Sequence, residues 1–114
     1  MKNRISDKER LLHIIDAIQS IEEFTKEISY AEYIEDFKLR LALIKLLEII
    51  GEASTGITSQ TQEQFSDIDW AILKSVRNVL VHEYFGVDYD IIWNVIKSKI
   101  PDLKTRIELI LKKI

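Results

Sequence analysis

Residues 68–85 read IDWAILKSVRNVLVHEYF. The run holds neither proline nor glycine, and its apolar side chains return every three or four residues, so it predicts a helix. Asp67 or Asp69 supplies an N-cap, and Gly86 a C′ residue at the other end. Stepping about 100° per residue from Arg77 gathers Ile72, Val76 and Val79 on one side, with Leu73 and Leu80 on its flank. That side is expected to face the chain's own core. Lys74, Arg77, Asn78 and His82 fall on the broad opposite arc, among Trp70, Val81 and Phe85. Glu83 fits neither group and falls near the core side. A helix apolar on both sides usually has something packed on both sides. The simplest second partner is another copy of the chain, in a two-fold dimer where one patch meets itself.

The rest of the chain is helical by the same signals. Ser6 and Glu9 make a capping box that opens a helix over about 6–28, followed by a break near Ser29. A second long helix is expected over about 31–54, with the stripe Tyr33, Phe37, Leu41, Ile44, Leu47 and Ile50. It is long enough to pair antiparallel with the first. TGITSQTQEQFSD (55–67) is polar and reads as a loop, with a short turn around Gln62–Phe65. Asp88 or Asp90 caps DYDIIWNVIKSKI, Pro101 takes a first helical position, and PDLKTRIELILKKI closes the chain with lysines in its last turn. The expectation is all-α: an up-and-down bundle of about five helices, one domain over 1–114, assembled as a homodimer.

Composition narrows the chemistry. With no cysteine there is no disulfide, thiolate metal site or cysteine nucleophile, and His13 and His82 are too few for a typical zinc site. No metal or cofactor is expected. MKNRISDKERLL lacks the apolar core of a secretory signal. LALIKLLEIIG (41–51), the most apolar stretch, is interrupted by Lys45 and Glu48 and is too short to span a bilayer. A cytoplasmic protein away from membranes is therefore expected. The net charge of -3 gives no general reason to bind nucleic acid, so any such binding needs a local basic site.

A two-fold pairing of the 68–85 helix would bring two Arg77 and two His82 to one cleft. Cleaving RNA without a metal requires the 2′-hydroxyl to lose a proton and the 5′-oxygen to gain one. Paired imidazoles suit both tasks near neutral pH. Arginine holds a phosphate and stabilises the charge that builds on it, and Asn78 would orient His82 or the phosphate. DNA, lacking the 2′-hydroxyl, would be refused. Spacing alone leaves a second reading open, that of a helix with a few solvated polar residues.

RNVLVHEYFGVDYDIIW (77–93) strongly resembles the HepT-like branch of the HEPN superfamily, whose helix motif is R-x4-H-x-Y, here Arg77, His82 and Tyr84. The likeness extends to IPDLK (100–104) and upstream to EIIGEAS (48–54), and so covers nearly the whole chain. The family often has glycine and methionine before the arginine, where this chain has Ser75 and Val76. The resemblance implies a HEPN-like helical dimer whose motifs meet at a cleft. It implies a metal-independent endoribonuclease toxin with a minimal nucleotidyltransferase antitoxin as partner. By position, Arg77 and His82 are the implied catalytic pair, with Asn78 in support. Tyr84 is the implied target of AMP transfer from that antitoxin, which would place bulk and negative charge beside Arg77. The competing expectation is a catalytically silent dimer that serves only to bind the nucleotidyltransferase.

His13 is expected to be a partly buried structural residue. Trp70 and Trp93 read as packing, and Tyr30, Tyr33 and Tyr89 have no partner that singles them out. The acidic run ISYAEYIEDF (28–37) reads as solvated surface, with a patch for the antitoxin as the minority reading. Lys104, Arg106, Lys112 and Lys113 would guide RNA or, more simply, solvate the final helix. No glycine-rich phosphate loop is present.

Overall fold

The computed structural model describes residues 6–82 and 86–114, and among these it is all-α, without a strand. Helix α1 (Asp7–Thr25) opens at the expected capping box. Ser6 Oγ accepts from the Glu9 N–H at 3.1 Å, and the Glu9 carboxylate accepts from the Ser6 N–H at 3.3 Å. Its Leu11, Ile14, Ile18 and Ile21 are buried essentially completely, each contributing about 1.5–3 kcal/mol. The helix stops three residues short of residue 28, ahead of Glu27, whose φ of 58° is left-handed.

The helix expected over 31–54 is two helices. α2 (Tyr30–Glu35) has its own capping box, Ser29 with Glu32. Asp36 then turns to extended backbone and caps α3 (Phe37–Thr55), its carboxylate accepting from the Leu39 N–H at 3.0 Å. The stripe Tyr33, Phe37, Leu41 runs on in sequence but not in space. Tyr33 is fully buried, whereas Phe37 and Leu41 are exposed. Leu43, Leu47, Ile50 and Ala53 form the inner face of α3.

The 55–67 segment holds a short helix, α4 (Ser59–Gln64), where only a turn was expected. It is tied to the start of α1 through Asp7, whose carboxylate accepts from the Thr58 N–H (3.0 Å), the Thr58 hydroxyl (2.7 Å) and the Thr61 hydroxyl (2.5 Å). α5 (Trp70–His82) begins at Asp69, which accepts from the Ile72 N–H at 3.1 Å. Its expected run to Phe85, just before Gly86, lies outside the described residues.

α6 (Tyr89–Asn94) is capped by Asp88 and runs without a break through one π turn, Val95–Lys99, into α7 (Ile100–Lys113). Two separate helices were expected here. Pro101 has no N–H, and in plain α geometry its ring would press on the carbonyl four residues back. The π turn, in which the Ile100 N–H bonds the Val95 carbonyl five residues back, opens that spot. α3 is the central helix, with α1 and α5 packed against it and α7 lying on α1. Tyr33 fastens α2 to α6: its ring lies 4.6 Å from that of Trp93, and its hydroxyl donates to the Tyr89 carbonyl at 2.7 Å.

Candidate active site

α5 is rotated from the orientation its apolar residues suggest. Leu80 is its one fully buried residue, and Leu73 and Val76 pack partly on the core. Ile72 and Val79, expected to face inward, are 56% and 47% exposed. Arg77, expected on the far arc, instead lies against α3. The cause is Gly51. A Cβ there would overlap the Cβ of Arg77 and come within 3.1 Å of the Leu73 carbonyl, so only glycine lets the two helices approach this closely.

That seat leaves Arg77 half-buried, with its guanidinium divided between two partners. Nε pairs with the Glu52 carboxylate, and Nη1 donates to the Asn78 side-chain carbonyl at 2.8 Å. Glu52 is the residue that sequence reasoning missed at this point. Its signal was its place beside Gly51 in EIIGEAS. Asn78 is thus joined to Arg77. His82 is exposed in the last turn of α5. Among the described residues no hydrogen bond links it to Arg77 or Asn78. Five positions separate Arg77 from His82, about 140° around the axis and about 7.5 Å along it. A single chain therefore points the two apart. Tyr84 lies outside the described residues.

Arg77 opens onto a groove of about 520 Å³ between α1, α3 and α5, whose walls include Arg10, His13, Lys45, Glu48 and Glu52. His13, expected to be partly buried and structural, is exposed on this wall. Its neighbours in LLHIID made it look like a core position, but it falls on the outward side of α1. Trp70 and Trp93 pack partly against the core, as expected. Lys104 is held by Glu22, and Arg106 by Asp67 and Asp102. Among the described residues no three His, Asp or Glu side chains converge into a metal-holding cluster, and no helix is long and apolar enough to cross a membrane.

The family described as Ribonuclease HepT-like matches residues 14–110. This chain belongs to the HepT-like ribonuclease family. Among the relatives of this HepT-like chain is a protein of Thermococcus cleftensis named as a probable ribonuclease HepT. It is 41% identical over 107 residues, which covers 94% of this chain and 97% of the relative. A protein of Methanocaldococcus jannaschii, provisionally named an RNase, is 39% identical over 100 residues, covering 88% and 92%. One from Caldanaerobacter subterraneus, also provisionally named an RNase, is 38% identical over 103 residues, covering 90% and 92%. No solved structure matches the chain. The all-α fold and its HepT-like kinship agree with the expectation from RNVLVHEYFGVDYDIIW.

Proposed function

We propose that this HepT-like ribonuclease is a metal-independent endoribonuclease toxin whose active site is completed by a second copy of the chain. The observation that carries the reading is the placement of α5. Its exposed Ile72 and Val79 share a side with exposed His82, while Arg77 is set into the chain's own groove. Val79 and His82 are about 60° apart around the helix. A two-fold contact through Ile72 and Val79 would bury both apolar side chains and bring the two imidazoles to one seam.

At that seam one imidazole removes the 2′-hydroxyl proton of the RNA. The 2′-oxygen attacks the adjacent phosphorus, and the P–O5′ bond breaks. The second imidazole, entering as imidazolium, gives its proton to the departing O5′. The products are a 2′,3′-cyclic phosphate and a 5′-hydroxyl. Arg77, whose Nη1 reaches toward the seam through Asn78, the neighbour of His82 one turn earlier on α5, stabilises the charge on the phosphorane oxygens. Regulation in this reading comes from a minimal nucleotidyltransferase antitoxin. The Tyr84 phenol oxygen attacks the α-phosphorus of ATP, pyrophosphate leaves, and the bound AMP excludes the RNA phosphate by bulk and charge.

The Arg77–Glu52 ion pair favours a second reading, because it already occupies the arginine: a silent dimer that only binds the nucleotidyltransferase. Cleavage of total RNA in EDTA, by protein whose intact mass shows an unmodified Tyr84, separates the two. The toxin reading expects fragments ending in 2′,3′-cyclic phosphate that are absent with His82→Ala. A folded, unmodified dimer that leaves RNA intact would refute it.

A further inference from the structure

We infer that the groove between α1, α3 and α5 is a binding track for single-stranded RNA, in which Arg10, Lys45 and His13 hold phosphates flanking the one being cut. The inference rests on the ribonuclease reading and adds the residues that position the substrate. It starts from an arrangement at the C-terminal end of α3, where Gly56 is the capping residue. Two glycines, Gly51 and Gly56, stand five residues apart on either side of Glu52, and each seats an arginine from another helix. Arg77 of α5 lies over Gly51. Arg10 of α1 lies over Gly56, with its Nε 2.6 Å from where a Cβ would stand. Both arginines line the same groove.

Place and state together mark these cations: Lys8, Lys38 and Lys74 are also without a partner among the described residues, but Arg10, Lys45 and His13 share one groove with Arg77. Lys104 and Arg106 are held by carboxylates, and Arg40 donates to the Tyr33 and Ile34 carbonyls. Among the described residues the Arg10, Lys45 and His13 side chains make neither a hydrogen bond nor an ion pair. The Arg10 Nε is covered and without an acceptor. Three full positive charges (Arg10, Lys45, Arg77) face two negative ones (Glu48, Glu52), leaving the groove at +1 on a chain of net charge -3. This is the local basic site that an acidic chain needs in order to hold a polyanion. Ile49 and Ala53 add apolar surface to the same wall, onto which Arg77 also opens. A groove of this kind tracks a flexible backbone rather than reading base edges.

The test compares His82→Ala protein with the same protein also carrying Arg10→Gln, His13→Gln and Lys45→Gln. Binding of a fluorescein-labelled oligoribonucleotide is followed by anisotropy across a salt series. Cleavage by the parent and by the triple variant with native His82 is run in parallel. The expected result is affinity at least ~10-fold weaker. The slope of log affinity against log salt should fall by about 0.7 for each phosphate that the variant no longer neutralises. KM should rise more than kcat falls. Should Arg10→Gln unfold the chain, His13→Gln with Lys45→Gln, both at exposed positions, carries the same expectation at reduced size. Unchanged RNA affinity and salt slope would overturn the inference, including the case where the variant loses only a protein partner. Cleavage by the parent with unchanged binding by the variant would refute the groove and leave the ribonuclease standing. Groove-dependent binding without any cleavage would do the reverse.

Discussion

Replacing Gly51 with alanine tests whether close approach of α3 and α5 holds Arg77 in place. Two effects oppose each other. Alanine favours a helix interior by about 1 kcal/mol over glycine. Against that, the new methyl would overlap the Arg77 Cβ and sit 3.1 Å from both the Arg77 Cγ and the Leu73 carbonyl. The first atom is the rigid end of a side chain and the last is backbone, so α5 must move outward as a unit. Overpacking of this kind costs about 1–3 kcal/mol. The net expectation is a loss of about 1 kcal/mol, or a Tm lower by about 4 °C or more. Gly56→Ala is the matched control. Its methyl meets only the guanidinium end of Arg10, which can swing aside, so its effect should stay within about 0.5 kcal/mol. Urea unfolding followed by circular dichroism, at one protein concentration, measures both. If Gly51→Ala is more stable than the parent by the amount helix propensity alone supplies, the close-approach argument is wrong.

Burial holds the Tyr33 phenol at a pKa of about 12, above its ordinary 10.0. The unfolded chain therefore gives up this proton first. Stability from Tyr33 should be complete below pH 10 and lost between pH 10 and 12, and Tyr33→Phe should flatten that limb of an alkaline unfolding curve. For Asp7, partial burial pushes the carboxyl up, but hydrogen bonds from Thr58 and Thr61 outweigh it and leave the pKa below the ordinary 3.8. Its contribution should be present above that pH and fade as pH falls through the lowered value. Asp7→Asn should reduce the acid sensitivity of unfolding midpoints measured between pH 2 and pH 5, a range of about three units around the carboxylate reference. Asp36→Ala removes the cap at the α2–α3 break and should lower stability by about 1 kcal/mol in the same urea assay.

Local chemistry was the legible part of the fold. Ser6–Glu9 and Asp88 cap helices as their sequences say, because a cap is decided within about four residues. The α2–α3 break was hidden because Tyr33, Phe37 and Leu41 keep helical spacing across Asp36. Periodicity does not register a cap in mid-stripe. The motif Arg77, Asn78, His82 was legible as residues, but its orientation was not. Ile72 and Val79 look like core residues on α5. Which side meets α3 is decided by a glycine more than twenty residues earlier in the chain, through a contact no local pattern contains. His13 shows the same limit, since a histidine between two leucines and two isoleucines looks buried until the neighbouring helices are placed.

The π turn of Val95–Lys99 bears on how the length of this chain can vary through descent. Such a turn is an α turn carrying one residue too many. Deleting exposed Ser98 would let the segment rewind while Ile92 and the inner face of α7 stay in register. Pro101 would then meet the carbonyl four positions before it, a penalty of about 3 kcal/mol. With Pro101→Ala as well, the result is an ordinary helix. The surplus residue and the proline are therefore expected to go together: a homologue one residue shorter here should have shed the proline too.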